Sequence, residues 1–293
     1  MERKPRIDTL GALVLIAFMF SLGLNQALVK IMNTAMTPLF QAGLRSLCAA
    51  PLMLAWCLWR STPIDLSKKV FIPGLITGIC FATEFGLLFE AVQHTTVARA
   101  SVFFYTMPFW VAIAAHFLIP NERLTPIRIV GLVLAGIGVA VALLSRNEIN
   151  AEFSLWGDML ALIAAVFWAV IAIVARTTAL STAKPELQLL YQLAVSAIIL
   201  LPVCYMTDNG FSNPEPWHFA VFAIQVLLIV CVGFLTWFWV LSIYPASDMA
   251  SFSFLAPLFG VFFGWLLLNE PITWTIVIAV MLVGMGIVLV NRR

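Results

Sequence analysis

The sequence predicts an all-α integral membrane protein in which ten transmembrane helices form two inverted five-helix repeats around a central cavity. Three observations predict it. First, 62% of the 293 residues are hydrophobic and only 10% are charged, against roughly 25% charged in an ordinary soluble domain. A soluble chain of this length must cover its surface with polar groups, and the 16 basic and 14 acidic residues are too few for that. Second, the apolar residues fall in runs of about twenty, the length that crosses a bilayer as a helix. Third, the chain repeats itself once. The same composition excludes other classes. Ten spans leave only short connections, with no room for a soluble catalytic or nucleotide-binding domain. A net charge of +2 argues against a nucleic-acid partner. The five cysteines lie in apolar runs without CxxC spacing, so they read as small buried hydrophobes and not as a disulfide frame or metal site.

The apolar windows place the spans near 10–31, 38–59, 70–92, 98–118, 127–144, 155–175, 187–206, 218–241, 246–268 and 272–290. The narrowest separations are Gln93-His94-Thr95-Thr96 and Tyr244-Pro245-Ala246-Ser247-Asp248. The first span is too long for a cleavable signal, and no small-residue cleavage site follows it promptly. With the N-terminus in the cytoplasm, the inside segments hold Arg3, Lys4, Arg6, Arg60, Lys68, Lys69, Arg123, Arg128, Arg176, Lys184, Arg292 and Arg293. The outside segments hold only Lys30 and Arg146. This asymmetry puts both termini inside, and the acidic segment from Asp208 to Glu215 agrees with an outside position.

The repeat sets the architecture. Asn121-Glu122-Arg123-Leu124-Thr125 recurs as Asn269-Glu270-Pro271-Ile272-Thr273. Pro108 and Phe103 recur as Pro257 and Phe252, Gly136 and Gly138 as Gly284 and Gly286, and the spacing of Gly11 and Lys30 as that of Gly157 and Arg176. The halves are 1–150 and 151–293, with five spans each. A unit with an odd number of crossings enters the membrane from the opposite side in its second copy, so the halves relate by a two-fold axis in the membrane plane. Secondary transporters use this construction, with substrate near the midplane between repeats. The alternative is a duplicated fold that keeps its symmetry for packing alone.

This pattern resembles the EamA-type branch of the drug/metabolite transporter superfamily. The residues that carry the resemblance are Trp156-Gly157-Asp158 leading to Phe167-Trp168-Ala169 and Arg176, and Pro108 through Asn121-Glu122 and Thr125. In the second half they are Pro257 through Asn269-Glu270, Thr273, Gly284 and Gly286. The resemblance covers nearly the whole chain and implies ten helices, cytoplasmic termini, inverted repeats, a central cavity and, for bacterial members, export of amino acids and other small metabolites. Within the family the chain looks like the aromatic amino-acid exporter group. Its Tyr-x-Trp-Pro run reads Tyr105-Thr106-Met107-Pro108 here, with Met107 in the tryptophan position. That group's sixth-helix tryptophan matches Trp168 and its third-helix glutamate matches Glu84.

The residues themselves make further expectations. Pro108 and Pro257 sit in mid-span, where each removes a hydrogen bond to a carbonyl one turn back and bends the helix. They are expected to line the cavity and act as hinges, with Tyr105 from span 4 and Ser253 and Phe254 from span 9 on the same walls. Glu84 lies near the middle of span 3, where a charge costs roughly 2.5–3.5 kcal/mol on insertion scales. It is expected to face the bundle interior, either binding an ammonium group or exchanging a proton, or serving as a structural acid between helices. Glu90 is rotated away from it and reads as interfacial. Asn25 and Gln26 can meet a zwitterion or bond helix to helix. Arg45, Gln188 and Gln192 stand toward helix ends, where snorkelling is the default. Arg99 and Asp248 are equivalent in the repeat and fall on opposite sides of the membrane, so no direct salt bridge between them is expected; each is either part of a gate on its own side or, by default, solvated at a helix end. Trp168 is a deep indole suited to stacking, while Trp56, Trp59, Trp156, Trp217, Trp265 and Trp274 read as the interfacial belt. The GxxxG steps Gly74–Gly78 and Gly260–Gly264 mean close helix packing.

These expectations describe a bacterial-type inner-membrane exporter of amino acids, including aromatic or other apolar ones, working by alternating access. It needs a small-molecule substrate and a lipid bilayer, and no metal or organic cofactor, although proton coupling is open to Glu84. The sequence does not set the oligomeric state, and a monomer suffices. A cationic-drug carrier of the same fold is the alternative within transport. An intramembrane enzyme or a non-transporting sensor are the alternatives outside it. No nucleophile–base pair or HExxH supports an enzyme.

Overall fold

A computed structural model describes residues 7–119, 124–144, 151–207, 210–244 and 251–291. The repeat residues Asn121-Glu122-Arg123, the loop residues Arg146 and Asp208, the segment 245–250 with Asp248, and Arg3, Lys4, Arg6, Arg292 and Arg293 lie outside the described residues. The described chain is helical: α1 Thr9–Met32, α2 Pro38–Trp59, α3 Lys68–His94, α4 Val97–Phe104, α5 Met107–Leu118 and α6 Pro126–Leu144 form the first half. The second half contains α7 Ala151–Thr177, α8 Pro185–Met206, α9 Pro216–Ala223, a π-helical segment Ile224–Gly233, α10 Phe234–Ile243, α11 Leu255–Leu268 and α12 Trp274–Asn291. Helices α4 and α5 make one span, as do α9, the π segment and α10. Eight spans are long and apolar enough to cross a membrane, and the shorter apolar helices Phe252–Leu268 and Trp274–Val290 complete the ten.

The outside of the bundle is apolar, as lipid requires. Leu13, Ile72, Ile79, Ile129, Val133, Ile137 and Met281 are all exposed. In water such a surface would aggregate, whereas in a bilayer it is the solvated face. Trp59, Trp156, Trp217, Trp265 and Trp274 are exposed near span ends, as an interfacial belt demands.

The packing pattern carries the symmetry. Exchanging the halves sends α1 to α7, α2 to α8, α3 to the α9–α10 span, the α4–α5 span to α11, and α6 to α12. Under that exchange the packing of α1 on α11 maps onto that of α7 on α4 and α5. The contact of α3 with α7 maps onto that of α10 with α1, and α3 with α8 onto the π segment with α2. The pairs α2–α8, α4–α11 and α6–α12 map onto themselves. Corresponding pairs of this kind are what a two-fold relation between the halves produces. With five crossings per half, that axis lies in the membrane plane.

Small residues let these helices approach closely, since lipid tails offer no hydrophobic drive to pair them. On α6 and α12, a Cβ added at Gly131 would meet the Gly286 carbonyl at 2.9 Å, and one at Gly138 would meet the Ala279 carbonyl at 2.9 Å. The GxxxG steps behave as expected. Gly74 and Gly78 sit on Tyr191 and Val195 of α8, and Gly260 sits on Ser101 of α4. The turn before α3 is anchored by Tyr191, whose hydroxyl donates to the Asp65 carbonyl at 2.7 Å. There the Ser67 backbone N–H and hydroxyl hold the Asp65 carboxyl below the usual carboxylate range.

Candidate functional site

Both mid-span prolines stand in the first turn of an α-helix. Helix α4 ends at Phe104, Tyr105 and Thr106 form a turn, and α5 restarts at Met107 with Pro108 in its first turn. In the second half a 3₁₀ turn, Ser251–Phe254, runs into α11, with Pro257 in its first turn. The expectation was a bend in a continuous helix. The chain instead starts a new helix at each proline, where the missing N–H leaves no extra carbonyl unpaired within the helix. The Thr106 hydroxyl donates to the Phe103 carbonyl at 2.6 Å and accepts from the Trp110 indole at 3.2 Å. This side chain therefore satisfies backbone that the break exposes, as the membrane interior requires.

Several of the expected site residues belong to the main core of the bundle or border it. Tyr105 and Met107 are buried in the main core cluster, and Trp168, Trp237, Phe252 and Phe254 pack against it half-buried. Trp168 lies three turns beyond Gly157, on the face of α7 that meets α3 at Thr95. Asn25 and Gln26 are buried on α1, and Asn25 Oδ1 and Gln26 Oε1 have no hydrogen-bond partner among the described residues. Ser253 is half-buried on its 3₁₀ turn, and Pro257 is buried.

Glu84 stands with a different set. It is 1% exposed, and its nearest opposite charge is Arg45 of α2, itself 2% exposed. This corrects the snorkelling expectation for Arg45. Its guanidinium lies over the rings of Phe85 and Phe89, 4.4 and 4.6 Å from their centroids, and does not reach the membrane surface. One turn away on α2, Gln41 donates to Gln225 of the π segment at 3.2 Å. Ser46 donates to Ser196 of α8 at 3.1 Å. Gln188 does keep to its helix end, donating to the Leu180 and Ala183 carbonyls.

The end of the bundle opposite the termini, here the distal end, is bridged by ion pairs. Lys30 at the end of α1 bonds Glu270 at 2.9 Å and the Thr95 carbonyl at 2.7 Å. The Glu270 carboxylate also accepts from the Val97 and Ala98 backbone N–H groups, at 2.9 and 3.4 Å, and so caps α4 at its positive end. Arg99 of α4 pairs with Asp158 of α7 through Nε at 3.1 Å and through Nη2. The Thr95 hydroxyl donates to the same carboxylate at 2.9 Å. The expectation of helix-end solvation is corrected for Arg99. Its side chain is 8% exposed and that of Asp158 is 0% exposed. The latch therefore joins α1, α4, α7 and the α11–α12 connection. Sequence reasoning missed Lys30, Glu270 and Asp158 as a group. The available signal was the repeat, in which Lys30 and Glu270 occupy the places of Arg176 and Glu122.

A cavity of about 620 Å³ also opens near the distal end, among α2, α3, α7 and α8. Its lining includes Asn33, Thr37, Glu90, Trp156 and Leu200. None of the expected site residues lines it, and Glu90 there bonds His94 at 3.0 Å. Among the described residues no group of His, Cys, Asp and Glu is placed to hold a metal ion.

Comparison with known proteins agrees with this architecture. The EamA-like transporter family matches residues 9–144 and again residues 155–292. The uncharacterized transporter YoaV of Bacillus subtilis is 28% identical over 85% of this chain and 86% of its own length. An uncharacterized transporter of Archaeoglobus fulgidus is 27% identical over 83% of each chain. A chloroplastic WAT1-related protein of Arabidopsis thaliana is 26% identical over 94% of this chain and 67% of its own. One solved crystal structure shares the fold with a TM-score of 0.68, covering 97% of this chain and 96% of the other at 19% identity. The double match, the relatives and the two-fold helical bundle together place the chain in the EamA-like transporter family, as a multi-pass membrane transporter of the drug/metabolite type.

Proposed function

We propose that this transporter exports amino acids and similar small metabolites by alternating access, across a bacterial-type inner membrane with both termini in the cytoplasm. The observation that carries the reading is the distal latch in a bundle with exchange symmetry. One end is bridged by a buried and a partly exposed ion pair, which would hold it closed, and the symmetry would supply a second conformation of similar packing in which the other end closes. The Lys and Arg distribution supports the orientation, so the latched end faces outward and substrate enters from the cytoplasm. The helix break before Pro108 and the 3₁₀-to-α junction before Pro257 would supply bending points on two packed spans. Tyr105, Met107, Trp168 and Phe254 offer an aromatic, polarizable wall for an apolar side chain, and Ser253 and Asn25 offer polar contacts.

The test is counterflow. Liposomes holding the purified protein and loaded with an unlabelled amino acid are expected to accumulate that labelled amino acid from outside. The accumulation should be saturable and absent from protein-free liposomes. A panel of apolar and aromatic amino acids then ranks substrates, and an imposed pH gradient reads proton coupling. Absence of counterflow for every amino acid, with protein that is monodisperse and folded, would overturn the reading.

A further inference from the structure

Two ionisable side chains in the interior reach no ion-pair contact among the described residues. Arg45 and Glu84 are 2% and 1% exposed. They interact electrostatically without reaching ion-pair contact, and neither makes a hydrogen bond to the described residues. Arg45 Nε and Glu84 Oε2 are both fully buried without a partner. Such groups are normally paired inside a protein, because burying an uncompensated ion is costly. Arg45 lies seven residues into α2 and Glu84 ten residues before the end of α3, so both sit roughly 10–15 Å below the distal end.

The groups around them are also incomplete. Gln41 and Arg45 are one turn apart on the same face of α2. The Gln41–Gln225 bond uses one donor and one acceptor, leaving Gln41 Oε1 and Gln225 Nε2 buried and unpartnered. Gln225 belongs to the π-helical segment, a rare geometry that is frequent at functional sites. Phe85 and Phe89 cover the guanidinium faces, which hold its plane and leave its edge to bind. The region therefore offers a planar cationic fork with an amide donor and a carboxylate with an amide acceptor. An α-amino acid is the complement of this set, since it carries a carboxylate and an ammonium group on one carbon.

We propose that Arg45 and Glu84 form a two-point clamp for the head group of a zwitterionic substrate. Arg45 takes the carboxylate through its fork, Glu84 takes the ammonium, Gln225 adds a donor on the carboxylate side, and Gln41 adds an acceptor on the ammonium side. The clamp rests on the transport reading and deepens it by naming what the protein recognises. It also separates amino acids from lipophilic cations, because a cation without a carboxylate leaves Arg45 unpaired and repels it.

The experiment uses matched trios on the full-length purified protein. One trio is L-phenylalanine, phenethylamine and 3-phenylpropionate. The other is L-leucine with its amine and its deaminated acid. Wild-type protein is expected to bind each amino acid roughly tenfold to a hundredfold tighter than either partial analogue, the worth of one charged hydrogen-bonding contact. Arg45→Gln is expected to lose that factor for the amino acid while binding the amine as well as or better than wild type. Glu84→Gln is expected to do the same with the acid. A merely structural role would weaken all three ligands together. The wild-type trio decides the matter even where a variant fails to fold. An amine or an acid that binds as tightly as its amino acid, or no binding by any of the six, overturns the clamp. Counterflow separates this from the wider reading: flux without preference for the amino acid sinks the clamp and leaves transport standing, whereas zwitterion-selective binding with no flux supports the clamp and sinks transport.

Discussion

Asp158→Asn is expected to open the distal end and to lower the stability of the latched state by roughly 3–5 kcal/mol, the usual cost of removing one partner from a buried ion pair. Asparagine keeps the size and can still accept from the Thr95 hydroxyl, so the change removes little but charge. Arg99, with 8% of its side chain exposed, then loses the carboxylate charge that it meets through Nε and Nη2. In equilibrium terms that loss is roughly a hundredfold to a few thousandfold against the closed end. The measurement is labelling of a cysteine placed at Ser101, which is 0% exposed two residues beyond Arg99, in a background without the five native cysteines. A membrane-impermeant thiol reagent applied from the distal side should react slowly in the parent and quickly in the Asp158→Asn variant. Arg99→Gln combined with Asp158→Asn should recover most of the thermal stability, because both charges of this buried pair are then removed together. Equal labelling and an unchanged melting temperature in the single variant would show that this pair does not hold the end closed. The Lys30–Glu270 pair should matter less to stability, since 27% of the Lys30 side chain is exposed and its charge can find water.

Gly23→Ala is expected to be the most damaging single-methyl change in the bundle. The added Cβ would lie 2.5 Å from Phe259 Cβ and 2.8 Å from both the Gly260 nitrogen and the Phe259 carbonyl carbon. Two of these three atoms are backbone, so rotamer adjustment gives no relief, and α1 must separate from α11. Overpacking of this kind costs roughly 1–3 kcal/mol, sometimes more. Gly136→Ala is the matched control. Its Cβ would meet nothing within 4 Å, and alanine in an exposed helix is favoured over glycine by up to about 1 kcal/mol. Thermal unfolding in detergent should show Gly23→Ala melting well below the parent and Gly136→Ala at or slightly above it. A neutral Gly23→Ala would mean that α1 and α11 are not packed this closely in the membrane.

Much of this architecture was legible because it depends on local chemistry. Apolar runs of bilayer length place the spans, and the structure moves their ends by only a few residues. Thr95 and Thr96 do separate α3 from α4, although that break was among the narrowest. The paired breaks followed from Pro108 and Pro257, although the form they take, a fresh helix at each proline, depends on Thr106 and the 3₁₀ turn. The charged groups were less legible because their fate is decided by partners far along the chain. Arg45 reads as a snorkelling residue from its place in α2, and only the rings of Phe85 and Phe89 show that it is enclosed. Arg99 and Asp158 are 59 positions apart, and their pairing depends on the rotation of α4 against α7. Glu270 belongs to a repeated motif, but its action on the first turn of α4 appears only when the two halves are docked. Glu84 was rightly expected inside the bundle, and its neighbourhood with α2 required the tertiary fold.

The π-helical stretch Ile224–Gly233 makes the two halves unequal, because its counterpart in α3 is ordinary α-helix throughout. Perfect duplication would make the two end states degenerate, with each populated half the time in the absence of ligand and gradient. A wider winding in one copy alone lifts that degeneracy, so the empty carrier has a preferred resting side. Straightening the stretch, for example by deleting one residue within it, should move the ligand-free population toward an even split without altering the chemistry of any head-group contact except that of Gln225.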